Sequence, residues 1–214
     1  MRTAQPLTEA VAPSASPEGW GSAINGARKD LILRAARDEF VDKGLEGASM
    51  RNIALRAGCS TGAIYPQFES KETIYAALLD QSLALLDAQV AAAVDTADSP
   101  SEKVRAGCQA FLGYYLAHPF EVNLGLYAFR GIKRQGVGKT SDQELNAMLW
   151  QVLDRIAQPL ASARGLSAQG VRPLVALIFS QMIGSLVLQL AGRLDQPGTG
   201  AAELLELMLA TLHL

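Results

Sequence analysis

The stretch from residue 49 to residue 68, SMRNIALRAGCSTGAIYPQF, decides the fold. Ser49 is a favoured N-cap, because its hydroxyl oxygen accepts one of the N–H groups that a helix start leaves unpaired. Gly58 ends that helix by tolerating positive φ. Ser60 caps a second, very short helix after only Gly58-Cys59-Ser60, and this second helix finishes near Pro66. Two helices joined by so short a turn cross steeply. The crossing needs a small side chain at the contact, met by Ala54, and a permissive residue in the reversal, met by Gly58 four positions later. It also needs an apolar anchor pointing back, met by Ile64 six positions beyond the glycine. Together these offsets predict a helix-turn-helix.

Helical periodicity continues on both sides, with no sustained two-residue alternation and no Asn-Gly hairpin. The spacing predicts a first helix over 27–43, with Ile32, Ala36 and Phe40 on one face and Gly44 stopping it. A fourth begins after Ser70 and runs to about 94. Others follow over about 101–117, 120–135, 142–164, 168–191 and 201–213. The fold class is all-α with about nine helices. Residues 27–75 form an N-terminal three-helix head that carries the helix-turn-helix, and 76–214 form a larger helical body, the part that the family resemblance described below implies is the effector-binding and dimerisation domain. Residues 1–26, with three prolines and little charge, read as a disordered tail.

Composition narrows the function. With 49% hydrophobic and 19% charged residues and a net charge of −2, the chain is neither disordered nor polybasic, so any nucleic-acid binding must be local. The 27–75 segment holds eight Lys/Arg and seven Asp/Glu, which makes it barely positive. Two cysteines, Cys59 and Cys108, fit reduced cytoplasmic thiols, not a disulfide scaffold or a four-ligand zinc site. His118 and His213 have no metal-ligand spacing around them, so no metal is expected. The run GVGKTS over 136–141 has Lys133 where a phosphate loop requires glycine, and reads as an interhelical loop. No nucleophile elbow is present. The expectation is a chain that is not an enzyme and needs no cofactor.

Residues 173–192, PLVALIFSQMIGSLVLQLAG, carry no charge and are long enough to span a bilayer. Gln181, Ser185 and Gln189 fall on one helical stripe, however, and a lone spanning helix would leave them unpaired in lipid. A helix packed on both sides in a soluble bundle or dimer is the preferred reading. A membrane-associated protein anchored by 173–192 is its rival from another class.

Lys71 stands at the first position of the fourth helix, right after Ser70. A cation there opposes the helix dipole by about 0.3–1 kcal/mol, so a bound phosphate is one reason to place it there, and a tolerant solvated surface is another. Taken together, ILRAARDEF and SMRNIALRAGCSTGAIYPQFESKETIYAALL resemble the N-terminal domain of the TetR family of bacterial transcriptional regulators, over roughly 28–79. The resemblance implies a cytoplasmic homodimer whose body binds a small molecule and thereby releases DNA. It places Ser49, Tyr65 and Lys71 on backbone phosphates. Thr61, Gly62 and Ala63, beside the cap Ser60, then face base edges. Arg51 is a phosphate partner or a solvent-facing side chain, and Gln67 a base reader in the wake of Pro66. That proline biases Tyr65 away from helical geometry and shortens the recognition helix. Cys59 reads as a small buried apolar residue.

A barely positive head binds weakly alone, so two heads joined in a dimer would read a roughly palindromic double-stranded operator, with half-sites about 34–36 Å apart or a multiple. For the dimer interface the candidates are Leu177, Ser180, Gly184 and Leu188 in the eighth helix and Leu205, Met208 and Leu212 in the ninth, unless both helices close their own subunit's core. For a pocket holding a small apolar or amphipathic effector, they are Phe111, Tyr114, Tyr115, Asn123, Tyr127, Arg130, Trp150 and Gln181. Control by a protein partner without such a pocket is the second reading within the same fold.

Overall fold

The computed structural model describes residues 17–126 and 139–214, and among these every regular element is a helix. In chain order they are α1 (Pro17–Gly47), α2 (Met50–Arg56), α3 (Thr61–Ile64), α4 (Lys71–Asp95), α5 (Pro100–Ala117), α6 (Pro119–Leu126), α7 (Lys139–Arg164), α8 (Arg172–Leu190) and α9 (Ala201–Thr211). This is the all-α, nine-helix architecture that periodicity predicts.

Two apolar cores organise the chain. In the head, Ile32, Leu33, Ala36 and Phe40 of α1 bury against Ile53 and Ala54 of α2, Ile64 of α3, and Phe68, Ile74 and Tyr75. The body gathers Leu83, Leu86 and Val90 of α4 with Phe111 and Leu112 of α5, Leu153 and Ile156 of α7, Ile178 and Met182 of α8, and Leu205 and Leu209 of α9. Each Val, Leu, Ile, Phe or Met among them, fully buried, contributes about 1.5–3 kcal/mol before the entropy of ordering it. Helix α4 therefore serves both cores, its first turns the head and its later turns the body. Helix α6 does the same over two residues: Val122 enters the body core and Leu124 the head core.

Ser49 and Ser70 cap their helices as expected, whereas Ser60 makes no side-chain cap bond. Ser70 and Ser99 each form a reciprocal capping box, with Thr73 and Glu102 respectively. The start of α1 differs. It begins at Pro17, ten residues before the expected position, because proline is tolerated in a first turn where its missing N–H has no partner to lose. From Gly21 to Leu31 every residue of this extension is exposed. Gly44 takes φ 65 and breaks the helix where expected, although a short turn continues to Gly47.

Of the sixth helix expected over 120–135, Pro119–Leu126 is helical and the remainder lies outside the described residues. Helix α7 starts at Lys139, so 139–141 belong to it and not to a loop. Helix α8 is long and apolar enough to cross a membrane, yet Val175, Ile178, Met182 and Leu186 are buried in the body core. Its polar stripe divides. Ser185 Oγ donates to the Met182 carbonyl at 3.0 Å. Gln189 Oε1 accepts from the Ala201 N–H at 2.7 Å, which caps α9. Gln181 Oε1 is sealed from solvent with no partner among the described residues.

Candidate nucleic-acid interface

The reversal between α2 and α3 is built by local hydrogen bonds. Gly58, at φ 69, donates to the Leu55 carbonyl, and Cys59 donates to the Ala54 carbonyl at 3.0 Å. This paired closure satisfies carbonyls that the end of α2 would leave bare. Ala54 is 2% exposed and Ile64 fully buried, so the small residue and the anchor meet inside the head. Cys59 is only half-buried at the core's edge.

The other side of α2 is tied to α1 by a group that spacing does not reveal. Glu39 is 1% exposed, and its two carboxylate oxygens accept from Asn52 Nδ2 at 3.0 Å and Arg56 Nε at 2.8 Å. Arg56 also pairs with Asp42. A buried carboxylate requires such donors, and here they fix the angle at which α2 leaves α1.

What remains on the outer surface is a set of groups able to contact a polyanion. Ser49 Oγ accepts the Asn52 N–H at 3.2 Å, which leaves its hydroxyl proton free to donate. Arg51 is exposed, with no ion pair to any described residue. Ser60, Gly62 and Ala63 are exposed and Thr61 is half-buried at the start of α3. Ser60 makes no side-chain cap bond. A Cβ at Gly62 would meet nothing nearer than the Ser60 hydroxyl, 4.0 Å away, so that face is open. Tyr65 is 53% exposed.

Two expectations change here. Tyr65 stays right-handed helical, at φ −56 and ψ −32, despite the proline after it. Helix α3 nevertheless ends at Ile64, and 65–67 continue as a turn in which Gln67 and Phe68 both donate to the Ile64 carbonyl. Gln67 is half-buried in that turn. Lys71, in turn, is already engaged. Its ammonium donates to the Glu46 and Ala48 carbonyls, each at 3.2 Å, and so closes the end of α1 instead of standing free at α4.

Head and body are joined through α6. The Tyr75 hydroxyl donates to the Leu124 carbonyl at 2.8 Å and lies 3.3 Å from that of Asn123. Arg37 donates to Glu121 at 2.9 Å, with its guanidinium 5.1 Å from the Phe120 ring centre. Burial pushes the Glu121 carboxyl up from its ordinary range, against the lowering effect of Arg37.

The expected effector residues are scattered among several roles. Phe111, Tyr114 and Tyr115 are buried and stacked edge-on in the body, and Phe111 also meets Phe179. The Tyr114 hydroxyl is spent on Ser82, 3.1 Å from its carbonyl and 3.0 Å from its Oγ. Trp150 is half-buried beneath the Arg172 guanidinium at 5.7 Å. Asn123 does not face inward: the residue is exposed, and its backbone carbonyl lies against the Tyr75 hydroxyl. Tyr127 and Arg130 lie outside the described residues.

On α8, Leu177, Ser180, Gly184 and Leu188 are exposed along one face, joined by Val187. In α9 the expectation fails for Leu205, which is 1% exposed within its own core. Met208 and Leu212 pack partly against the same core, and the outward leucine is Leu207, 64% exposed. Apolar residues occupy both faces of this helix, so spacing alone does not tell the inner from the outer.

Residues 32–78 match the family model for bacterial regulatory proteins of the tetR family. Residues 104–212 match the tetracyclin repressor-like C-terminal domain. The chain is 36% identical over 87 residues to the HTH-type transcriptional activator FasR of Mycolicibacterium smegmatis, covering 41% of this chain and 40% of that protein. To the HTH-type transcriptional repressor KstR2 of the same organism it is 37% identical over 78 residues, covering 36% and 38%. These matches thus span about two-fifths of each relative's length. The transcriptional regulator FadR from Bacillus subtilis, solved in complex with stearoyl-CoA, shares the fold at TM-score 0.68 with 17% identity, over 84% of this chain and 97% of that one.

Proposed function

Because the chain belongs to the TetR family of bacterial regulatory proteins, we propose that it is a cytoplasmic, homodimeric transcriptional repressor that leaves its DNA operator when an amphipathic ligand enters the body. The observation that carries the DNA reading is the outer surface of α2 and α3. Arg51, Tyr65, Ser60 and the Ser49 hydroxyl present donors with few protein partners around an open Gly62–Ala63 edge. Phosphate contacts by such donors position a helix-turn-helix, and the start of its second helix then reads base edges. Thr61 supplies the hydrogen-bonding side chain there, and Ala63 suits a thymine methyl.

The dimer is formed by the outer face of α8, with Leu177, Ser180, Gly184 and Leu188, extended by Leu207 of α9. Gly184 has no atom within 4 Å of an added Cβ, so a partner helix can approach closely. In this reading α8 uses its apolar length within the protein and not in a membrane.

For the ligand, the body supplies an aromatic and aliphatic interior around Phe111, Tyr115 and Phe179, and a buried acceptor, Gln181 Oε1, without a partner among the described residues. A sealed acceptor without a donor is a defect that a ligand N–H or O–H repairs. An acyl thioester of coenzyme A, the class bound by the B. subtilis neighbour, offers both an alkyl chain and amide N–H groups. Stearoyl-CoA is expected to raise the melting temperature and release a bound duplex, while free coenzyme A does neither. Gln181→Leu should weaken that response about tenfold without altering DNA affinity. Complete indifference to acyl thioesters and other amphiphiles would instead favour control by a protein partner.

A further inference from the structure

The face of α1 that packs into the head does not end where the head ends. Ile32, Leu33, Ala36 and Phe40 bury on that face. Three or four residues earlier on the same helix, the face continues through Arg28 and Lys29, then Asn25, then Gly21 and Ser22. All five are exposed. Over 21–29 the strip contains two cations, two hydrogen-bonding side chains, one glycine and no carboxylate. Ala27 and Asp30 lie on the opposite side, while Ile24 and Leu31 flank Arg28, four residues before it and three after.

A second observation locates the strip. Lys29 Nζ stands 5.8 Å from the centre of the Phe68 ring. Phe68 closes the turn that carries exposed Tyr65, so the cationic strip leaves the head beside the recognition turn. A helix exposed on every side is marginal alone in water, and among the described residues nothing covers the strip over 21–28.

We propose that the N-terminal extension of α1 is an accessory DNA-binding element, in which Arg28 and Lys29, supported by Asn25 and Ser22, grip the sugar–phosphate backbone next to the segment met by α3. The inference rests on the DNA-binding reading above and adds a contact surface to it. Two small residues, Gly21 and Ser22, let the helix lie close to the backbone. The lack of carboxylates along 21–29 of this face removes the repulsion that a phosphate would otherwise meet.

The test is the salt dependence of binding to a fluorescein-labelled 30-base-pair duplex of arbitrary sequence, followed by anisotropy on the full chain. Each phosphate contact contributes about 0.9 to the slope of log affinity against log salt. The double variant Arg28→Ala/Lys29→Ala is expected to lower the slope by about 1.8 per head and to keep the wild-type melting temperature, because both residues are exposed. Arg28→Lys/Lys29→Arg should preserve the slope, and Asp30→Asn on the other face should not reduce it. An unchanged slope in the alanine variant, with wild type binding the duplex, overturns this element alone. No binding by wild type overturns the DNA reading and this proposal with it.

Discussion

The Lys71 ammonium stands 3.2 Å from the carbonyl oxygens of both Glu46 and Ala48, and so binds the start of α4 to the end of α1. Its position at an unfavourable helix end has a structural cause: the carbonyls that terminate α1 need donors. The Ala48 carbonyl immediately precedes Ser49, the cap of α2. Lys71 therefore sets where α2 begins, and any phosphate contact it makes draws on its remaining N–H.

Lys71→Ala is expected to destabilise the protein by about 1.5–3 kcal/mol, the usual worth of hydrogen bonds to a charged group. Tyr65→Ala, at an exposed site, should leave stability within about 0.5 kcal/mol of wild type while weakening DNA binding. Denaturant titrations of the two variants check the contrast, and equal stabilities would show that the Lys71 clamp carries no weight.

Removing the partner of a buried carboxylate costs more than the pair itself is worth. Arg56→Ala leaves Glu39 with Asn52 as its remaining donor, and we expect a clearly lower denaturation midpoint. Simultaneous Glu39→Leu in the Arg56→Ala background should restore part of that loss. A double variant as unstable as the single one would contradict this account.

Tyr75→Phe deletes the hydroxyl that reaches the Leu124 carbonyl across the head–body junction. The stability cost should be about 1 kcal/mol. In duplex-release titrations with stearoyl-CoA, the variant should need more ligand for the same release, because α6 is then less firmly coupled to α4. Release curves identical to wild type would remove α6 from the coupling route.

Glu121 gives a pH signature. Burial raises its carboxyl, and the Arg37, Ser82 and His118 contributions only partly oppose this. A folded-state value above the unfolded one means that the native state holds the proton more tightly. The ionised group then costs stability near neutral pH, and the cost disappears as pH falls through the folded value. Relative to Glu121→Gln, wild type should therefore gain stability between pH 7 and about pH 4.3, the ordinary glutamate value. A difference that stays flat or reverses would contradict the burial seen at this site.

The two cysteines should react differently. Cys108 is fully buried, and burial pushes its thiol up to about 12, whereas Cys59 is half-exposed at the α2–α3 turn. A disulfide reagent should modify Cys59 in the native protein and reach Cys108 only on unfolding. Rapid modification of both would show that the body opens locally.

What the sequence shows of this protein is what is local. Caps at Ser49 and Ser70, the reversal at Gly58, the contact at Ala54 and the anchor at Ile64 all act within a few residues, so spacing suffices to find them. The Glu39–Asn52–Arg56 cluster joins groups 13 and 17 residues apart, and the Lys71 clamp spans 23 and 25. No helical period marks either. Leu205 and Leu207 are both leucines on an apolar helix, and only the neighbouring α5 and α8 decide which is inside. The extension of α1 escaped because Gly19, Gly21 and Gly26 lower helix propensity where the chain is helical all the same.

The central claim is that the α2–α3 surface reads a DNA sequence, and selection of binding sites from a random-sequence duplex library tests it most directly. Wild type should enrich a roughly palindromic site, and a Thr61→Ala/Ala63→Gln double variant with unchanged melting temperature should enrich a different one or none. Failure of wild type to enrich any sequence, or enrichment of the same site by the double variant, would contradict it.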